Sequence, residues 1–474
     1  MIQLRDYQAA AVRDIRTAFG SGLTRVLLAM PTASGKTILF SHIAAGVASK
    51  GKRVIILAHR GELLAQISEA LSQFQVPHEI LDANTRGLPR SPVIVASVMT
   101  LVRRLKHAQT PDLIVCDEAH HCVGKTSWGR SVNHFEGAKL LGGTATPCRL
   151  DGTGLGDVFQ SLVLGPTVAE LTAQGWLTPA ECYGPPEQLD LSAIHTRAGD
   201  YAVDELSAIM GKAKITGNAV AHYRRLADGR AAVAFCCSVQ HARDVATEFQ
   251  DAGYRAVALD GGMEREPRRQ AIRDLATGRL QVLTSCEIVS EGVDVPRIEC
   301  GIMLRPTKSE GLWLQQVGRC LRLFPNKRAA IILDHAGNSQ EHGLPDSPRT
   351  WTLAGTAKTK RKKSPTALRQ CPECFAIHEP APKCPRCGHI YVVAGRTPEQ
   401  VDGELRRITG NDHAWAQGIS IPTASGQEFK ALLALADTPE KLHQIRRLRR
   451  YHHLWVHHVL KSRGQTQAIS SSTT

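Results

Sequence analysis

Residues Met30 to Thr37 read MPTASGKT and decide the fold. They follow a short apolar run, Arg25 to Ala29 (RVLLA), and precede a helix-like stretch, the strand–loop–helix setting that a phosphate-binding loop requires. Small residues at Thr32, Ala33, Ser34 and Gly35 let backbone N–H groups converge on phosphate oxygens at a helix amino terminus. Lys36 would reach the β and γ phosphates of a nucleotide, and the Thr37 hydroxyl would hold a magnesium ion that keeps most of its waters. The strict pattern begins with glycine where Met30 stands, so a Gly-Lys-Thr turn without a ligand competes until a second motif is found.

Working outward, β-branched or aliphatic runs recur at Arg53 to Ala58, Pro92 to Ala96, Asp112 to Cys116 and Lys139 to Gly143, each separated by room for a helix. This predicts a parallel α/β sheet. A second series at Ala231 to Cys236, Arg255 to Leu259, Leu280 to Thr284, Cys300 to Leu304 and Ala329 to Leu333 predicts a similar domain in tandem. The second motif is Asp117-Glu118-Ala119-His120, directly after the apolar run Leu113 to Cys116. A strand end in a parallel sheet points its carboxylates at the edge that carries the phosphate loop. Asp117 would complete the magnesium shell and Glu118 would accept a proton from the attacking water. Together the two motifs predict an enzyme that hydrolyses a nucleoside triphosphate.

These residues resemble superfamily two helicases of the DEAH-box type, most closely the RadD-like and XPB-like branch. Leu4 to Gln8 (LRDYQ) resembles its adenine-recognition segment, with Gln8 as reader. His59, Arg60, Glu62 and Gln66 in LAHRGELLAQ resemble motif Ia, and Ser97 to Leu101 (SVMTL), with Thr100, resembles the next single-strand-contacting element. Thr144 to Pro147 (TATP) resembles the motif that couples hydrolysis to nucleic acid through Thr144 and Thr146. Glu291 to Pro296 (EGVDVP), with Gly292 and Asp294 toward the nucleotide, resembles motif V, and Gln315 to Arg322 (QQVGRCLR) resembles motif VI. The resemblance covers about residues 1 to 340 and implies two tandem RecA-like domains. Ala33 departs from the family's usual glycine, and motif VI lacks the Arg-Thr-Gly-Arg string of the DEAD-box RNA helicases. A γ-phosphate losing its bond spreads negative charge, which a guanidinium from a second domain stabilises. Arg319 and Arg322 are the candidates, with Gln315 beside them, and their three-residue spacing places both near one helix face.

Beyond the second domain, Cys371-Pro-Glu-Cys374 and Cys384-Pro-Arg-Cys387 form paired C-x-x-C knuckles that fit four thiolates around tetrahedral zinc. His378 and His389 are read as bystanders. A ribbon this short has too little core to fold without its metal, and its unfolding is expected to spare the two ATPase domains. The remaining cysteines are scattered, so a disulfide framework is not expected.

Formal net charge is +14, but residues 358 to 474 hold 19 Lys and Arg against nine Asp and Glu, +10 of the total. The run Lys358 to Lys363 (KTKRKK) and the helical stretch Pro439 to Ser462 carry much of it. Such asymmetry favours a polyanionic partner. Arg446, Arg447, Arg449 and Arg450 precede Tyr451 and Trp455, a basic and aromatic mixture that pairs with phosphates and stacks on bases. The competing reading packs Leu448, Trp455 and Val459 on the body beneath a solvated basic face. No apolar run approaches a membrane span or a signal peptide, so a cytoplasmic protein is expected, nucleoid-associated if bacterial.

The expected order is an ATP-binding domain at 1–165, a connecting segment and entry to the second domain at 166–230, a second RecA-like domain at 231–340, a basic linker at 341–368, a zinc ribbon at 369–391 and a basic, partly helical tail at 392–474. With ATP, Mg2+ and Zn2+, this reads as an ATP-dependent DNA helicase or translocase on single-stranded or branched DNA. Alternatives are a nucleic-acid-stimulated ATPase that remodels protein complexes, an RNA helicase, or a passive scaffold. Protein partners would engage the ribbon or the tail.

Overall fold

The structure is a computed structural model that describes residues 3–149, 151–184, 194–197, 200–202, 205–206, 213–286, 294–355, 368–391, 421, 424–449, 451–452 and 454–462. The first domain is a seven-stranded parallel sheet of β1 (Arg25–Ala29), β2 (Val54–Ala58), β3 (His78–Leu81), β4 (Val93–Ser97), β5 (Leu113–Asp117), β6 (Lys139–Thr144) and β7 (Ser161–Leu164), in the order β3-β4-β2-β5-β6-β1-β7. The apolar runs become the strands to within a residue or two at each end. β2 and β5 are buried on both faces, as helices on either side of a parallel sheet demand. One layer of core gathers around Val26, Leu28, Ile56 and Leu39, the other around Leu27, Leu57, Ile114 and Phe159. Register sets the functional edge: Ala29 of β1 lies beside Thr144 of β6, whose Gly143 lies beside Asp117 of β5.

The second sheet contains β8 (Ala180–Tyr183), β11 (Ala232–Phe235), β12 (Ala256–Leu259), β13 (Val282–Ser285), β14 (Cys300–Met303) and β15 (Ala330–Asp334). A small hairpin, β9 (Thr196–Arg197) with β10 (Asp200–Tyr201), stands apart from it. β8 comes from the segment expected to connect the domains and enter the second, and it pairs in parallel with β15.

The ribbon departs furthest from expectation. Its strands β16 (Arg369–Gln370) and β17 (Ala376–His378) join the second sheet, β17 running antiparallel to β8 with Ile377 beside Cys182, and the order becomes β12-β13-β11-β14-β15-β8-β17-β16. Ile377 belongs to one core layer of this domain and Ala376 to the other. Arg386 pairs with Glu181 at 3.1 Å and covers the Tyr183 ring, while Arg225 covers Phe375. The ribbon therefore closes the β8 edge, and its unfolding would uncover that edge of the second domain.

The described residues between 393 and 474 belong to a separate compact unit. Helices Gly426–Leu435, Pro439–Leu448 and Trp455–Ser462 enclose Leu432, Leu442, Ile445, Val456 and Leu460. Thr438 caps the middle helix and Pro439 starts it, as both residues favour. The basic stretch is thus two helices with a break rather than one. Trp455 and Val459 pack within this unit, whereas Leu448 is exposed. Among the described residues no helix is long and apolar enough to cross a membrane.

Ile377→Ala should cost the second domain about 3 kcal/mol, read as faster amide exchange across Ala180–Tyr183. Unchanged exchange there would mean that the ribbon folds as an independent module.

Candidate active site

The loop between β1 and helix Lys36–Ala48 curls because Ala33 and Gly35 both take left-handed backbone conformations, φ 69° and 83°. Glycine adopts this without cost, whereas alanine pays about 1–2 kcal/mol for it. Lys36 Nζ donates to the carbonyls of Met30 at 3.0 Å and Pro31 at 3.2 Å, so the ammonium lies inside the loop. Burial lowers its pKa, opposed by the charges of Glu118 and Asp117. Gln8 is buried behind the loop: its Nε2 donates to Ser34 O and Gly35 O, and its Oε1 accepts from Arg5 N–H. Tyr7 adds a bond to Ser34 O at 2.8 Å. The LRDYQ segment thus braces the phosphate loop, and Gln8 spends both amide hydrogens on it.

Asp117 ends β5, Glu118 follows it directly, and both are buried. Glu118 also sits in the left-handed region at φ 59°, which turns its carboxylate from the strand axis into the cleft. Burial and the neighbouring Glu118 charge push the Asp117 carboxyl up to about 6. His120 Nδ1 lies 3.5 Å from Glu118 Oε2 and 3.3 Å from Thr144 Oγ1. Thr144 Oγ1 donates its own hydrogen to Thr146 O at 2.8 Å. With its hydrogen so directed the hydroxyl can accept from His120, the arrangement in which the ring carries its proton on Nδ1.

The second domain contributes helix Glu310–Cys320. Gln315 Nε2 donates to Glu118 Oε2 at 3.2 Å across the domain boundary. Arg319 is buried within the helix, but Arg322 lies beyond its end, paired with Asp294, so the two do not share one helical face as their spacing suggested. Burial lowers the Arg322 pKa to about 10, and it stays charged. Both arginines and Asp294 nevertheless line one cleft of about 650 Å³ with Thr32, Ala33, Gly35, Lys36, Thr37, Asp117 and Glu118, a volume within the range of small-molecule sites.

Sequence reasoning missed two glycines that permit this approach. A Cβ at Gly318 would lie 2.5 Å from Thr32, and one at Gly311 2.7 Å from Thr146 Oγ1. It also missed Arg268, which pairs with Glu62 of motif Ia at 3.0 Å across the same boundary. Glycines inside a helical pattern carry no local signal that distinguishes close packing from surface.

The remaining candidates fall in several places. Arg60 Nε donates to His59 Nε2 at 3.0 Å where β2 meets helix Gly61–Gln73. Thr100 is buried in helix Val98–Arg104. Arg447 is exposed and Arg446 half-buried, whereas Arg449 is consumed internally by the carbonyls of Ile421 and Ala424 and the Phe429 ring. Gly292, Arg450 and the Lys358 to Lys363 run lie outside the described residues. The thiols of Cys371, Cys374, Cys384 and Cys387 all lie within 4.8 Å of one another. The Cys371–Cys387 and Cys374–Cys384 sulfurs are 3.6 and 3.7 Å apart, close to the roughly 3.8 Å edge of a tetrahedron with 2.3 Å metal–sulfur bonds. His378 is engaged by Tyr391 and Glu379 and stands outside this set.

A phosphate loop and acidic pair on one RecA-like domain, faced by arginines of a second, define a nucleic-acid-dependent ATPase of helicase type. The comparisons agree: residues 1–149 match the family described as type III restriction enzyme, res subunit, and residues 213–324 match the helicase conserved C-terminal domain. The chain thus carries the paired domains of an ATP-dependent helicase. It is 34% identical over 387 residues to a 51.5 kDa protein of a Lactococcus phage (isolate 7-9), covering 81% of this chain and 82% of the relative. It is 29% identical over 357 residues to a Saccharomyces cerevisiae protein carrying the name ATP-dependent helicase IRC3, covering 71% of this chain but only 52% of that protein. Among solved structures, a fragment of an HsdR subunit of a type I restriction enzyme from Vibrio vulnificus superposes with a TM-score of 0.57 at 19% identity, covering 72% of this chain and 66% of the fragment. That likeness speaks to fold.

Ala33→Gly should relieve the left-handed strain and raise the stability of the first domain by about 1 kcal/mol, seen as a higher thermal midpoint without nucleotide. A lower midpoint would contradict the loop conformation.

Proposed function

We propose that the protein is an ATP-driven DNA translocase or helicase. The observation that carries this reading is the cleft in which Lys36, Thr37, Asp117 and Glu118 of one domain face Arg319 and Arg322 of the other, with Gln315 bonded to Glu118. Thr37 and Asp117 would hold magnesium, which neutralises developing phosphate charge when bound. Glu118, oriented by Gln315 and His120, takes the proton of the attacking water. Arg319 and Arg322 stabilise charge on the leaving phosphoryl group. Because the site is complete only while the domains meet, binding favours closure and product release favours opening, and this cycle drives stepping along a strand.

DNA rather than RNA is supported by the restriction-enzyme family of the first domain and by the absence of the DEAD-box RNA helicase string from motif VI. Arg60 and the exposed Arg447 are the phosphate contacts of this reading, and single-stranded or branched DNA is the expected substrate. The four thiols take zinc, the divalent ion that favours closed four-sulfur tetrahedra. Protein partners of the ribbon or the C-terminal unit, and a cytoplasmic location, belong to the same reading.

The test is ATP hydrolysis measured side by side with single-stranded, duplex and branched DNA and with RNA, alongside strand displacement and translocation assays. DNA should stimulate turnover more than RNA. Glu118→Gln should keep ATP affinity but lose at least about a hundredfold in DNA-stimulated turnover. Stimulation by RNA alone would sink the DNA assignment, and translocation without strand displacement would favour a remodelling ATPase.

A further inference from the structure

A row of aromatic rings connects motif Ia to the catalytic carboxylate, and the hydrolytic scheme above uses only its last member, His120. The His59 ring centroid lies 6.0 Å from that of His121 and 6.1 Å from that of Trp128. His121 stacks on Trp128 at 5.8 Å with an interplanar angle of 23°, and its other neighbour, His120, is 4.2 Å away. His120 in turn points Nδ1 at Glu118 Oε2, 3.5 Å distant. At the far end Arg60 Nε donates to His59 Nε2. These are contacts between ring faces and edges; the only side chains that gather as metal ligands among the described residues are the four cysteines.

We propose that His121 is a positioning residue that carries nucleic-acid occupancy at Arg60 to Glu118. A phosphate makes charge-assisted, often bidentate bonds to a guanidinium, stronger than the bond to a neutral imidazole. An occupied Arg60 therefore releases His59 Nε2, and the His59 ring resettles. Trp128 does not yield: it is buried in helix Ser127–His134, whose start is capped by Thr126. Close-packed rings shift between discrete arrangements rather than deform, so the displacement passes through His121 to His120. The His120 N–H then changes its share between Thr144 and Glu118, which sets the carboxylate as proton acceptor. The inference rests on Arg60 as a phosphate contact, the assignment made under the proposed function.

The experiment compares His121→Ala, His121→Phe and Trp128→Leu in the full chain. It measures turnover without nucleic acid, turnover with saturating single-stranded DNA, DNA affinity and thermal midpoint. In His121→Ala the unstimulated rate and DNA affinity should stay within about twofold of the parent, while the stimulation ratio falls by about tenfold. His121→Phe keeps the stacked ring and should restore most of that ratio, a rescue that a purely structural loss would not show. Should His121→Ala not fold, Trp128→Leu must lower the ratio without lowering the unstimulated rate. Full stimulation in His121→Ala, or a parallel fall of both rates, would overturn the relay. A parent that nucleic acid does not stimulate would overturn the underlying functional reading and the relay with it.

Discussion

Everything the two domains do together depends on how closely one helix approaches one loop. Helix Glu310–Cys320 can lie on the phosphate loop only because position 318 has no side chain to meet Thr32, and position 311 none to meet Thr146. At that separation Gln315 reaches Glu118, and the arginines reach the cleft that Lys36 opens into. The groups of the proposed site are therefore divided between two domains. Two of the non-glycine residues in the left-handed region, Ala33 and Glu118, lie at this place. Such residues persist where the surroundings over-determine them; here the brace of Tyr7 and Gln8 supports the first, and Gln315 with His120 the second.

The metal-type ribbon acquires a mechanical meaning from its strand pairing. β17 completes the sheet that carries motif VI, so the four thiols hold an edge of the motor itself. An open parallel-sheet edge is a template for unwanted pairing, and β8 is covered on that side by the ribbon. The chain thus places its shortest, least self-sufficient module where the second domain most needs an edge closed.

Much of this was legible from local pattern. The phosphate loop, the acidic strand end and the C-x-x-C knuckles are short motifs whose chemistry lies in adjacent residues, and the buried strands are apolar runs that parallel sheets require. What stayed hidden depends on contacts distant in sequence. β8 is a four-residue strand, Ala180–Tyr183, with Glu181 in its middle, so no alternation marked it. The pairing of Ile377 with Cys182 spans nearly two hundred residues, and Arg322 leaves its helix because the helix ends at Cys320. In the C-terminal unit the arginine run looked uniform, yet Arg449 turns inward to carbonyls while Arg447 faces solvent.

The central claim is that hydrolysis needs a guanidinium supplied by the second domain. Arg322→Ala measures it directly, by comparing ATP affinity with turnover and with capture of ADP–aluminium fluoride as a mimic of the transition state. The account predicts ATP affinity within about tenfold of the parent, turnover reduced by about a thousandfold and the mimic no longer retained. Turnover within tenfold of the parent, with the mimic still held, would contradict it.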